Sequence, residues 1–361
     1  MAQRKERMTN RERVEALLRR EKPDRVPIWP FGAAAFHTVY TGTSIADAFN
    51  KPDVSLAAQR KTCQDFDWVF VPMFGYASYG GWELGGDIKW PSGEYAQAPT
   101  VARFPVETAD DVMNLKVPDV KTAGIIPLMK GFYDLALQER LDNEPFNVMV
   151  MGCNMSFTLA GNISGPEKLC KWILKKPEIA HRLLQLANEH IIKLAEYWKE
   201  LYGVEGVLPL GGEPTSANQL ISPKMFAEFA MPYIKEVNEK FLEMGYKHLY
   251  AHICGEQNEN YPYWAQIPMG DPGIISVSQE VDLETAAKYF PNDVILGNLE
   301  PTIIQVGTAE EVYEATRKVI EKGKKLPTGY IFSPGCDTPP MAPVDNVMAM
   351  TRAVNDFGWY D

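Results

Sequence analysis

The sequence is short of the residues from which several kinds of protein are built. Its 361 residues hold only five cysteines, at positions 63, 153, 170, 254 and 336. An odd, sparse set in a chain this long does not make a disulfide framework, and it leaves reduced thiols free for metal binding or catalysis. Basic residues are outnumbered, 36 Lys and Arg against 47 Asp and Glu, for a formal charge of −11. A nucleic-acid partner is therefore not expected, because neutralising phosphates needs a basic face. No apolar run reaches the roughly 20 residues of a membrane helix. The opening MAQRKERMTNRERVEALLRREK is too charged for a signal peptide, so a cytoplasmic location is expected. There is no Gly-x-Ser-x-Gly elbow and no phosphate-binding P-loop.

What the chain does have is a large apolar content, 45%, enough for one barrel or two smaller domains. Eight short apolar runs recur along it: 26–32, 68–74, 147–153, 206–212, 248–254, 273–279, 293–299 and 330–336. They are continuous rather than alternating, as strands buried on both faces of a parallel sheet are. Helical patterns lie between them. Thr9 and Glu12 form a capping box ahead of Val14, Leu17 and Leu18. Segments 177–201, 222–244, 308–323 and 343–357 carry apolar residues at helical spacing behind Pro, Ser or Thr start signals. Eight strands alternating with helices predict an α/β fold, a (β/α)8 TIM barrel forming a single domain over 1–361, with an N-terminal helix. An open doubly wound sheet is the alternative, but no Gly-x-Gly-x-x-Gly turn follows the first strand. The stretch 75–95, rich in Gly and aromatics, is expected to be a long loop or hairpin inserted after strand 2.

The sharpest chemical signal is Tyr250-Ala251-His252-Ile253-Cys254-Gly255. Residues two apart in a strand face the same side, so His252 and Cys254 can share one metal at the end of strand 5. Cys336 closes strand 8, and in a barrel the C-terminal ends of all strands open onto one face. One imidazole and two thiols are the N/S set that Zn2+ prefers, with a coordination position left for chemistry. The bland alternative is that each cysteine is a small core residue, and for Cys63 and Cys170 in helical patterns that is the expectation. Cys153 ends strand 3 at the same mouth and is a candidate pocket residue. Carboxylates also close strands: Glu213, Glu280 and Glu300, with Asp337 beside Cys336. Glu213 and Glu300 each follow a Gly-containing strand end and are taken as the catalytic candidates, against the background that strand-to-helix loops are acidic anyway. From the aromatic residues in and after strands 1 and 2, Phe36, His37, Phe74 and Tyr76 are the candidate walls of a pocket for a flat ligand, although most such residues simply pack.

At this point the chain resembles the uroporphyrinogen decarboxylase superfamily over essentially its whole length. TNRERVEALLRREKPDRVPIWP looks like that family's N-terminal helix and first strand, and GGEPTSANQLISPKMFAEFAMPYI like its mid-chain loop and helix. Members with zinc-dependent corrinoid methyltransferase activity carry a His-x-Cys pair and a distant Cys as zinc ligands. The matching positions here are His252 and Cys254 in HICG and Cys336 in SPGC. The decarboxylases fit less well: their Arg-rich loop after strand 1 corresponds here to PFGAAAFHTVY, which has no arginine. A buried polycarboxylate would have no cationic partners there.

The resemblance implies zinc as cofactor and a corrinoid delivered by a separate protein, since Asp-x-His-x-x-Gly, the usual cobalamin motif, is absent. Two half-reactions are open. The first expectation is O-demethylation of a small methoxylated aromatic, passing the methyl group to cob(I)alamin, motivated by the aromatic insertion. The alternative is transfer from a methyl-corrinoid to a thiol such as coenzyme M. Decarboxylation ranks below both, and a barrel with a purely structural zinc is the reading from outside enzymology.

Overall fold

The computed structural model describes residues 8–32, 34–92 and 98–360, and the side chains of 151–153 lie outside that description. Six parallel strands form one sheet in chain order: β3 (Val148–Asn154), β4 (Val207–Gly212), β5 (Tyr250–Ile253), β6 (Ile274–Val277), β7 (Val294–Leu299) and β8 (Tyr330–Pro334). The two preceding strands, β1 (Asp87–Lys89) and β2 (Thr100–Arg103), pair antiparallel with Ile88 opposite Val101; the first lies in the expected 75–95 insertion and the second beyond it.

The first two apolar runs close the ring between β8 and β3, but as bridges rather than full strands. Trp29 N–H donates to Phe332 O (2.9 Å) and Phe332 N–H to Pro27 O (3.0 Å). Val69 N–H donates to Ile28 O (2.7 Å), and Met149 N–H to Pro72 O (2.9 Å). Pro27, Pro30 and Pro72 have no N–H to give, so the ladder is interrupted where the sequence reading expected continuous strands.

The apolar runs divide between two cores. Trp29, Met149, Leu208, Leu210, Tyr250, Ile274, Leu296 and Ile331 fill the barrel interior. Their alternate neighbours, such as Val207, Ala251, Ile275 and Ile295, face the helices. The helix Asn10–Leu18 starts at the expected Thr9–Glu12 capping box and sets Val14 and Leu17 against the interior core. The segments 177–201, 308–323 and 343–357 are realised as the helices Pro177–Tyr202, Ala309–Gly323 and Val344–Phe357. The segment 222–244 is not one regular helix. Pro232 cannot donate a backbone hydrogen bond, and the turn just before it, Phe226–Ala230, is π-helical. No helix among the described residues is long and apolar enough to cross a membrane.

Candidate metal centre

His252, Cys254 and Cys336 meet at the C-terminal mouth of the barrel. Their ligand atoms all lie within 4.8 Å of one another, and the two sulfurs are 3.8 Å apart. Alternation along β5 explains half of this. Tyr250 points into the barrel, so His252 and Cys254 do as well, one and two steps nearer the mouth. Glycines explain the rest. Gly255 turns the chain off β5 at φ +75°. At Gly335 a Cβ would stand 2.7 Å from the backbone nitrogen of Gln279, so only glycine lets the end of β8 press against the end of β6. That approach brings Cys336 across the mouth to Cys254.

The imidazole of His252 is 3% exposed, and Phe31 stacks on it with centroids 3.8 Å apart. Its Nδ1 lies 2.8 Å from the Ser276 hydroxyl, its partner in the β5–β6 register. With Nδ1–H donating to Ser276, Nε2 keeps its lone pair, and it is buried with no partner in the protein. A buried nitrogen left so is costly unless a ligand takes the lone pair. The two thiols are hydrogen-bonded to each other. The hydrogen bond from Cys336 holds Cys254 below the usual thiol range, and the same contact together with burial pushes Cys336 up. A bare imidazole nitrogen beside two adjacent thiols fits zinc in chemistry and number. Among the described residues no carboxylate oxygen joins the three at that spacing, so a fourth position stays available.

The three donors open onto a cleft of about 780 Å³. Phe31, Phe49, Met73 and Tyr76 wall it, and Asn154 and Asp337 supply polar groups. Tyr76 donates its hydroxyl to the buried Glu83 (2.8 Å), which fixes the ring as a wall. Burial pushes the Asp337 carboxyl above its ordinary range.

The remaining expected pocket residues are elsewhere. Phe36 packs against Tyr40, Phe66 and Trp68, and Phe74 stacks on Phe132, both in the core around the barrel. Their apolar rings are buried between helix and sheet, where they exclude more water than they would at the mouth. His37 borders a neighbouring cavity with Trp68 and Cys63, which shares Phe31, Gly32, Ala34 and Met73 with the cleft, and burial lowers its imidazole to about 3. Cys153 lies outside the residues whose side chains are described.

Glu213 is fully buried, and its carboxylate accepts from the Thr158 hydroxyl (2.5 Å) and backbone (3.2 Å). Burial raises it to about 7. Its own N–H donates to His252 O (3.0 Å), so it braces the ligand strand from its neighbour. Glu300 is exposed at the start of helix Pro301–Val306, and Glu280, also exposed, accepts from Ser278 (2.5 Å). Neither is among the residues that wall the cleft. Sequence reasoning did not single out Ser276, Phe49 or Asn154. Their roles come from register and from helix packing, which leave no local signature.

The family model for uroporphyrinogen decarboxylase (URO-D) matches residues 9–357. The chain belongs to the uroporphyrinogen decarboxylase family. Within it, the chain resembles a methylcobamide:CoM methyltransferase of Methanosarcina acetivorans, 28% identical over 97% of this chain and 98% of that one. A methylated-thiol–coenzyme M methyltransferase of Methanosarcina mazei is 28% identical over 66% of this chain and 61% of its own length. A uroporphyrinogen decarboxylase of Anaeromyxobacter dehalogenans is 22% identical over 96% of the chain and 99% of the relative. A solved methyltransferase from Methanosarcina mazei shares the fold, with a TM-score of 0.78 at 19% identity, covering 97% of this chain and 99% of that one. This family member is an enzyme of the methyltransferase kind.

Proposed function

We propose that this methyltransferase moves a methyl group from a methylated corrinoid, presented by a separate protein, to the sulfur of a small thiol, with zinc held by His252, Cys254 and Cys336. The observation that carries the reading is the convergence of an unpartnered buried imidazole nitrogen and two thiols on an otherwise apolar cleft. The relatives named for methylcobamide and coenzyme M support the thiol direction over the ether direction first expected. So does the placement of Phe36 and Phe74, which leaves the cleft fewer aromatic walls than the sequence promised.

When bound, zinc holds a thiol as the nucleophilic thiolate near neutral pH. In the overall exchange the thiol loses its proton to solvent, its sulfur gains the methyl group, and the electron pair of the carbon–cobalt bond stays on cobalt. The chain's own residues prepare that exchange. Ser276 fixes the His252 tautomer, and the Phe31 ring covers the imidazole face and keeps water from it. The pairing of Cys254 with Cys336 sets the two sulfurs side by side, 3.8 Å apart, as donors to one ion. The loop after the first apolar run reaches the cleft as Phe31, Gly32, Ala34 and Ala35, without a cation, which speaks against a polycarboxylate substrate and hence against decarboxylation.

The test is the absorbance of methylcobalamin mixed anaerobically with zinc-loaded protein and a thiol. Conversion to cob(I)alamin, lost in Cys336→Ser, is the expected result. A second reading, demethylation of a methoxylated aromatic, draws on Phe31, Phe49 and Tyr76 in the cleft wall. Cob(I)alamin converted to the methyl form by methoxyphenols, with no reaction of methylcobalamin and thiols, would select it instead.

A further inference from the structure

We infer that the acceptor is a thiol whose far end carries no anionic group, being neutral or cationic; this rests on the thiol-methyltransferase reading above. Among the described residues lining the cleft there is no lysine and no arginine, and the one imidazole is His252 of the metal centre. The one acidic side chain there is Asp337. That carboxyl is built in. Its Oδ1 lies so close to Gly32 that a Cβ there would stand 1.5 Å from it, and Gly32 holds φ +49°, which disfavours any replacement.

The rest of the wall is Phe31, Phe49, Met73, Pro214, glycines and alanines, which cannot solvate a charge, and Thr338, whose buried hydroxyl has no partner and is a neutral donor only. Asn154 has already given its amide hydrogens to Ala77 O (2.8 Å) and Tyr79 O (3.0 Å), and Tyr76 has given its proton to Glu83. A sulfonate or carboxylate tail entering this cleft would lose its hydration, find no cation and a single neutral hydroxyl, that of Thr338, and face a carboxyl group. Lys89 is exposed on a neighbouring open groove that shares Ala77 and Ala98 with the cleft, and an exposed lysine pairs only weakly across water. Coenzyme M, the thiol in the relatives' names, ends in a sulfonate, so this cleft selects a different acceptor.

The experiment is calorimetric titration of the zinc-loaded full chain with 2-mercaptoethanol, cysteamine and 2-mercaptoethanesulfonate at one ionic strength. The alcohol and the amine are expected to bind at least about tenfold more tightly than the sulfonate, the effect of roughly 1.4 kcal/mol of unpaired charge. Ala34→Lys, on the cleft wall away from the ligands, is expected to bring sulfonate binding up to that of the alcohol. A sulfonate bound as tightly as the alcohol by the unaltered protein overturns the inference, as does failure of all three to bind. Turnover of methylcobalamin on the same samples reports separately. The expected binding order without methyl transfer would leave the charge selectivity standing and remove the proposed reaction.

Discussion

At the scale of single residues, the metal centre depends on one hydroxyl outside the ligand set. The Ser276 hydroxyl lies 2.8 Å from His252 Nδ1, and with that nitrogen engaged Nε2 is the one left on the side of the two sulfurs. Outer partners of this kind typically change metal affinity by about 10–100-fold when removed. Ser276→Ala is therefore expected to weaken zinc binding by about that factor while leaving the fold intact, as competition with a chromophoric chelator would read. Unchanged affinity would mean that stacking on Phe31 alone orients the ring. The three proposed ligands were legible as a group in the sequence because alternation along a strand is local: His-x-Cys stays on one face wherever the strand goes. Ser276 was not, since its only link to His252 is the β5–β6 register. Glu213 and Glu300 stood at equivalent strand ends in the sequence. The structure separates them, one buried against Thr158 and the other exposed at a helix start.

At the scale of elements, the positions of the strand ends are set by how tightly helices and neighbouring strands close on them. The helix Ala309–Gly323 ends against Tyr330 at the start of β8, the strand that leads to Cys336. A Cβ at Gly323 would meet the Tyr330 ring at 2.3 Å. Gly323→Ala is expected to destabilise the protein by about 1–3 kcal/mol through overpacking, seen as a lower midpoint in thermal or urea unfolding. Gly131 provides the opposite case. It lies in helix Ile126–Gln138, and a Cβ there would meet nothing within 4 Å. Gly131→Ala is expected to stabilise by about 0.5–1 kcal/mol, because only the unfolded chain loses freedom. Element type and order were readable from periodicity and capping residues. The interruptions were readable in principle too, at Pro27, Pro72 and Pro232, where a missing N–H turns an expected strand into a bridge and an expected helix into a π-turn.

At the scale of the whole molecule, the barrel buries ionisable groups that have no part in the site. Burial lowers His37 to about 3 and His190 to about 4. Both then stay neutral in the folded chain while the unfolded chain takes up protons near 6.5. Acidification below pH 6.5 therefore favours the unfolded state at each of them, by on the order of 2 kcal/mol on reaching pH 5. Buried carboxyls such as Glu213, raised to about 7, act in the other direction, so the net curve is a balance. The difference between variants isolates one group: His37→Gln is expected to lose less stability than the parent protein between pH 7 and pH 5, measured by urea midpoints. Equal losses in both would mean that His37 is protonated in the folded state.

The sequence by itself determined the class of fold, the order of strands and helices, and which imidazole and two thiols are the proposed metal donors. Each of these follows from residues near one another along the chain, through period, caps and the chemistry of imidazole and thiol. Only the tertiary structure decided which carboxyl stands beside the cleft, which aromatic rings wall it and which sink into the core, and which hydroxyl steers His252. Those outcomes depend on distances between strands three places apart around a closed ring, and on glycines whose missing side chains let the strand ends meet.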